Sequence, residues 1–513
     1  MSAPVTVRMY RGFLGDCFLI TAGQAGSESH ILIDFGILQG TSGAPTRMRE
    51  VASDIWQRTG GKLDLLVVTH EHFDHIAGFK FASGWFFDVI EAPDEAAFRN
   101  GRKIEIGELW LGWTEDPDDS MGVSLQERFA AGHQKLAALR IALDVPTPVA
   151  GDVFGLPAFE GVDEDPAALA AGKKPRNSRE IYAQLKAVAG GITYLSPGHV
   201  LDTPGNNGLR AHVLGPPRDE KLLFKALPSS GEAKETYLGI DASGGDNARA
   251  QARSPFSDRY RWRTLEQLSP ATPRDLSPAE TFLREHYVDA ITPCRFAGRT
   301  APAGHACAQD FLCGRWQGYR QIGNVMAPVE NALAIRMDSN TNNSSLVIAF
   351  ALPDGTTMLF AADAQVGNWL SWEKVDYADH KTRAKLDITT AQLLARARLY
   401  KVGHHGSHNA TLKGQGLELM THPELVVLIP TDEAFALQQG SKGWLMPNPE
   451  TYKGLIRQSR GRILRSDLKV PEVRARLEGL LESDDDLADV DLADFEAGAV
   501  TETDLYCDFH IVR

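Results

Sequence analysis

The sequence predicts an α/β fold whose sheets carry their chemistry at the ends of strands. Short apolar strands separated by tight turns open the chain, and a second group of strands, alternating with helical stretches, returns near residue 345. The three richest clusters of metal-ligand-type residues each directly follow one of these strands.

The elements follow in order. The first ~80 residues read as strands and turns: Val5–Met9, Cys17–Thr21, Ile31–Ile33 ending at Asp34-Phe35-Gly36, and the continuous apolar run Leu63–Val68, which stops at Thr69-His70. A helix begins near Ile76. Between 85 and 335 the order is interrupted. Ser124–Leu143 has helical spacing, Ile181–Val188 reads as another helix, and Ile192–Leu195 and Leu209–Leu214 read as strands. Ala242–Ala308 is rich in Arg, Ser, Pro and Gly and reads as loops and short helices. Strands return at Ser345–Ala351 and Thr357–Phe360, joined by the hairpin signal Asp354-Gly355. Helices are expected at Ile388–Ala397 and Asn448–Arg457, and strands at Leu399–Val402 and Leu425–Ile429.

Composition narrows the class. The 513 residues exceed one ordinary core, so two or three domains, or one with large insertions, are expected. No apolar run reaches the ~20 residues of a membrane helix. Met1–Arg11 has no signal-peptide apolar region, and five dispersed cysteines are no disulfide framework, so a cytoplasmic protein is expected. The net charge of −14 argues against a generally basic nucleic-acid grip. Much of the acidity lies after Arg476, where no Lys or Arg occurs before Arg513. That stretch reads as a solvated loop, dispensable over 480–500, or as a contact for a basic protein partner.

The central signal is Thr69-His70-Glu71-His72-Phe73-Asp74-His75. Alternate residues of an extended segment face one side, so His70 and His72 can share one metal ion. Asp74 and His75, at the start of the helix, can serve a second. Asp363 follows a strand, in Leu359-Phe360-Ala361-Ala362-Asp363-Ala364, and either bridges two ions or caps a helix. His404 and His405 follow another, in Lys401-Val402-Gly403-His404-His405-Gly406-Ser407. Neighbours at a strand end project differently, so one of the two is expected to bind metal. His405 is the favoured ligand, leaving His404 to face substrate as a proton donor or oxyanion partner. The reverse assignment stays open. Ser407 and His408 are expected to brace the loop.

Residues 70–75 match in full the His-x-His-x-Asp-His signature of the metallo-β-lactamase fold, and the chain resembles that superfamily. Gly15-Asp16-Cys17-Phe18-Leu19-Ile20 with Ile31-Leu32-Ile33-Asp34-Phe35-Gly36 resembles its opening hairpin. Together with Asn343-Ser344-Ser345-Leu346-Val347 and the His-His-Gly-Ser segment, these motifs are similar to the branch containing the hydrolase domain of bacterial competence (DNA-uptake) channel proteins and its soluble relatives. The resemblance covers roughly 1–85, 190–215 and 340–470. It implies an αβ/βα sandwich of two mixed sheets with helices outside. The expected parts are a first half at 1–85, a large insertion or cap at 86–340 with core strands near 190–215, a second half at 341–470, and an acidic segment with a final strand at 471–513.

The resemblance further implies two divalent ions, zinc foremost and manganese or iron as alternatives. His70, His72, Asp74, His75, Asp363 and His405 would hold them, with Asp74 and His404 in catalysis. His199, in Ser196-Pro197-Gly198-His199-Val200, resembles the loop that gives many members a third histidine on the first ion. If Leu214-Gly215-Pro216-Pro217 instead aligns with the branch's Leu-x-Pro strand end, His199 sits in a hairpin and need not bind. The implied activity is phosphodiester hydrolysis, on nucleic acid or a small nucleotide. An esterase or lactonase and a metal-binding regulatory or scaffold protein are the alternatives, and a membrane partner is not expected. His212 is expected to pack, as are Trp369 and Trp372. Cys294, His305, Cys307 and Cys313 read as free side chains in a loop or a small zinc site, and Arg295, Arg299, Arg315 and Arg320 as solvated or phosphate-meeting.

Overall fold

The computed structural model describes residues 4–87, 101–129, 178–205, 207–228, 236, 341–439 and 443–512. All of them fall within one compact unit; the second unit, His133–Thr147 with Asp241–Leu333, lies outside the described residues. So do the Cys294–Cys313 group, the four arginines beside it, and most of the helix expected at Ser124–Leu143, of which 124–129 are helical.

Two mixed eight-stranded sheets form the unit. In the first, β1 (Val5–Tyr10), β2 (Cys17–Ala22) and β3 (Ser29–Phe35) run antiparallel. β4 (Lys62–Val67), β5 (Glu105–Gly112) and β6 (Ile192–Leu195) continue it in parallel. β16 (Tyr506–Val512) closes the other edge against β1, and β15 (Val500–Glu502) pairs with β16. The second sheet repeats the pattern. β7 (His199–Asp202), β8 (Arg210–Gly215), β9 (Val347–Ala351) and β10 (Thr357–Phe360) are antiparallel. β12 (Ala397–Lys401), β13 (Val426–Ile429) and β14 (Ile463–Arg465) run parallel to β10, and the short β11 (Ala378–Asp379) lies outside β7.

The period-2 alternation of the strands sorts the core into layers. Val5, Val7, Phe18, Ile20, Ile31, Ile33, Leu65 and Val67 face Val213, Phe350, Met358, Phe360, Leu399 and Leu428 between the sheets. The intervening Leu19, Leu32 and Leu66 turn outward, onto helix α1 (Ala44–Thr59) and helix α2 (Phe73–Phe81). Each fully buried Val, Leu, Ile, Met or Phe contributes roughly 1.5–3 kcal/mol, so both faces of each sheet help to hold it. The second sheet covers its outer face with helices such as Pro449–Ser459 and Val470–Ser483. No described helix is long and apolar enough to cross a membrane.

Three expectations change. The opening is not all strand: α1 starts at a proline in its first turn and ends on Gly60 in the left-handed conformation. Met48, Val51, Ala52 and Ile55 recur at helical steps, masked in the sequence by the charges between them. β5, inside the stretch expected to be an insertion, is a sheet strand paired on both sides, between β4 and the edge strand β6. The acidic segment is anchored rather than merely solvated. Leu487 is fully buried, and Leu480, Leu481, Val490 and Leu492 pack on the same cluster. Lys453 meets Asp484 at 2.7 Å, which offsets part of the local negative charge.

Leu487→Ala should therefore cost about 2–4 kcal/mol, as expected for a cavity under a fully buried leucine. Urea unfolding of the variant against the parent protein checks it. An unchanged midpoint would return this segment to the dispensable loop the sequence suggested.

Candidate metal centre

The residues of the centre are delivered by strand ends and the turns that leave them at one edge of the sandwich. Asp16 precedes β2 and Asp34 lies in β3. His70 to His75 lead from β4 into α2, Asp363 follows β10, and His404-His405 follow β12. Here the Leu346 N–H donates to the Thr69 carbonyl at 2.9 Å, tying the start of one sheet's strand to the end of the other's. Gly36 makes the close approach possible: a Cβ there would lie 1.8 Å from the Asp74 carbonyl oxygen. The Asp16 N–H donates to that same oxygen at 3.0 Å.

Asp74, His75, Asp363 and His405 bring one ligand atom each to within 4.8 Å of one another, all buried. His75 Nε2 lies 3.3 Å from Asp363 Oδ1, and His405 Nε2 lies 2.9 Å from Asp74 Oδ2. His70 Nε2 and His72 Nδ1 are 3.1 Å apart. Two nitrogens sharing a tetrahedral zinc at ~2.0–2.1 Å would be about 3.3 Å apart, so this pair is spaced for a shared ion as well as for a hydrogen bond.

The orphaned atoms test the fit. Asp74 Oδ1, His75 Nε2 and both Asp363 oxygens are buried without a hydrogen-bond partner. Buried polar atoms are satisfied almost everywhere in proteins, and a divalent cation would satisfy two carboxylates and an imidazole together. Asp363 caps no helix; Gln365 occupies that position in the helix Val366–Ser371.

Contacts behind the imidazoles fix their aim. His75 Nδ1 lies 2.7 Å from Asp34 Oδ2, and His405 Nδ1 lies 2.6 Å from the Pro430 carbonyl. A carboxylate and a carbonyl only accept, so both rings donate from Nδ1 and turn Nε2 inward, where His405 donates from Nε2 as well, to Asp74 Oδ2. Asp34 is itself held by the Thr69 N–H and hydroxyl, at 2.8 and 2.7 Å. Ser407 Oγ donates to Asn409 Oδ1 at 3.1 Å, so His404 Nδ1, 2.9 Å from that hydroxyl, is the donor to it. His404 Nε2 is thereby left free, 3.9 Å from Asp363 Oδ2. His404 is the more exposed of the pair, at 8% against 1%. His408 takes no part in either ligand cluster.

The two neighbouring histidines diverge for a reason other than strand alternation. Both occupy a turn with left-handed backbone, φ 42° and 54°. Asp34 and Ala362 share that conformation, at 55° and 47°. Four of the six non-glycine residues with positive φ among the described residues thus lie in this centre, where strain of about 1–3 kcal/mol each is held by the surrounding fold.

The charges divide the centre. Burial pushes His70 well below the ordinary imidazole range, helped by His75 and His72, and lowers His72 and His404 to about 4 each. Burial acts the same way on His75 and His405. There the carboxylates prevail: Asp363, Asp16, Asp34 and Asp74 raise His75, and the bond to Asp74 with the charges of Asp363 and Asp16 raises His405. Burial would lift the Asp363 carboxyl, but His75 and His404 hold it well below the usual range. The acidic half of the site demands positive charge.

His199 does not join the others. It begins the peripheral strand β7, accepts from the Ser196 N–H at Nδ1 (3.2 Å), and packs on a tilted His380 ring with centroids 4.5 Å apart. The hairpin alignment, which makes β8 the neighbouring strand, agrees with this placement. His212 packs edge-on against Tyr377, and the Trp369 and Trp372 rings lie 3.9 Å apart in the core, as expected. The sequence reading passed over Asp16, Asp34 and Lys401 as functional groups. Their signal is a charged residue within or beside an apolar strand.

Residues 10–150 match the family model of the metallo-beta-lactamase superfamily. That domain and the two mixed sheets with flanking helices make the fold a metallo-β-lactamase sandwich of the α/β class. The superfamily is typically one of metal-dependent hydrolases, and the chain holds residues able to bind divalent metal. No curated protein matches the chain.

Asp34→Ala should weaken zinc binding about 10–100-fold, because it frees His75 to rotate and change tautomer. Chelator competition on the purified variant measures this, and affinity equal to the parent's would remove Asp34 from the centre.

Proposed function

We propose that the chain is a dinuclear metal-dependent hydrolase acting on a phosphodiester, in nucleic acid or a small nucleotide. The observation that carries this reading is the set of buried, unpartnered atoms of Asp74, His75 and Asp363, converging beside the His70–His72 pair. His70 Nε2 and His72 Nδ1 would take one ion. Asp74, His75 and His405 would take the other, and Asp363, with two free oxygens, would bridge. Two divalent ions held there, zinc foremost, would supply water of lowered pKa and polarise the bond under attack.

The chain's own groups complete the reaction. Asp74 and Asp363 accept hydrogen bonds from the attacking water and fix its direction. His404, braced by Ser407 and open at Nε2, takes up a proton at that atom as attack proceeds and returns it to the leaving oxygen. The preference for a phosphodiester rests on the likeness of the hairpin, aspartate and His-His-Gly-Ser motifs to the competence branch. Fold alone does not choose between this and a carboxyl ester.

Purified protein should contain close to two equivalents of transition metal. It should cleave at least one of single-stranded DNA, double-stranded DNA, RNA or an aryl phosphodiester, in preference to a lactone. Less than half an equivalent of metal after reconstitution with zinc or manganese overturns the dinuclear reading, and turnover of the lactone alone overturns the substrate class.

The two neighbouring histidines should also differ in kind. His405→Ala should lose metal and activity together. His404→Ala should keep its metal and lose about 10²–10⁴-fold in turnover, more with a poor leaving group than with a good one. Metal content and both rates, measured on each variant, decide it. Loss of metal from the His404 variant alone would exchange the two roles.

A further inference from the structure

Lys401, the last residue of β12, has a side chain 1% exposed. An ammonium so placed is costly unless it is hydrogen-bonded and paired with opposite charge, as it is here. Nζ contacts Asp16 Oδ2, donates to the Ala362 carbonyl at 2.9 Å, and lies 3.6 Å from Asp363 Oδ1. Ala362 is the left-handed residue immediately before Asp363, so one lysine grips both the backbone of the turn and the carboxylate the turn presents.

Asp16 belongs to the first sheet and Lys401 to the second. Asp16 is fixed by its backbone, which donates to Asp74 and accepts from Gly36 at 2.9 Å. The pair therefore sets Asp363, carried by one sheet, against Asp74 and His75, carried by the other. Asp16, Asp34 and His75 form a second group with ligand atoms in reach of one another. The Lys401 ammonium already sits against Asp16, so that group has its cation in the protein itself.

We infer that Lys401, locked to Asp16, is a positioning residue that aims Asp363 so that its two oxygens span both half-sites. The inference rests on the dinuclear reading above. Lys401 touches no reacting atom and acts through Asp363. Its loss should change how two ions are held relative to each other while leaving the His70–His72 half-site in place.

The test uses full-length protein loaded with Mn(II), comparing the parent with Lys401→Met and with Asp16→Asn/Lys401→Met. Calorimetric titration gives the affinity of each ion, electron paramagnetic resonance reads the exchange coupling between them, and thermal unfolding reads the fold. Lys401→Met should keep the first ion, weaken the second about 10–100-fold, and lose the exchange-coupled signal. It should also unfold at a lower temperature, because Asp16 is left buried without the ammonium that contacts it. The double variant removes both charges and should regain thermal stability without regaining the coupling. A double variant that recovers coupling together with stability would show a pair that merely holds the fold, and overturns the inference. A Lys401→Met protein with parental affinities and coupling overturns it too. If Lys401→Met does not fold, the charge-neutral double variant carries the test. Parent protein that binds fewer than two ions fails the dinuclear reading itself.

Discussion

Asp363 holds both carboxylate oxygens in the interior without a hydrogen-bond donor. A charge buried in that way costs several kcal/mol unless cations meet it. Most of the site's architecture serves that requirement. His75 and Lys401 approach one oxygen at 3.3 and 3.6 Å, and His404 faces the other at 3.9 Å. These residues come from both sheets, so the sheets must end at a common edge and be fastened there, as the Leu346–Thr69 bond fastens them. Backbone strain at Asp34, Ala362, His404 and His405 is the local cost of that convergence. The apolar layer between the sheets is what sustains it.

The geometry also explains why the ligands lie where they do along the chain. Each sheet changes from antiparallel to parallel pairing partway across. Thr69–His75, Asp363 and His404-His405 follow the carboxyl ends of β4, β10 and β12, strands with a parallel neighbour on at least one side. Parallel strands release their chains at the same edge, so residues far apart in sequence meet without long excursions. This is the location where open α/β sheets place their ligands generally.

Much of this was legible in the sequence because its signals are local. β1 to β4 are apolar runs cut off by turn residues, and Asp354-Gly355 marked the β9–β10 hairpin. The His70–His75 cluster fits inside six residues, and Asp363 and His405 stand directly after strands the sequence shows. What stayed hidden depends on contacts distant in sequence. Asp16 is paired by Lys401, His405 is aimed by the carbonyl of Pro430, and Asp34 is a support whose partners lie beyond the next helix. His199 stayed open in the sequence because its loop resembles both a ligand loop and a hairpin, and pairing with β8 and β11 carries it toward the border of the second sheet. The acidic stretch misled through composition: its few leucines are spaced so that most of them reach the core.

The pairing of β1 with β16 has a consequence for how the chain is made. β1 is synthesised before β16, which follows roughly 500 residues later, on the order of a minute at typical synthesis rates. For that interval one border of β1 is an unpaired template, the arrangement from which edge-to-edge aggregation starts. Arg8 sits in the middle of this strand. In the finished protein its guanidinium is bound by Asp508 of β16 and Asp54 of α1. Before β16 arrives, the same guanidinium has Asp54 of α1 as its partner and keeps a charged side chain on the open strand, the kind of residue that disfavours edge-to-edge pairing. One side chain thus guards the border until β16 is made and seals it once β16 has paired.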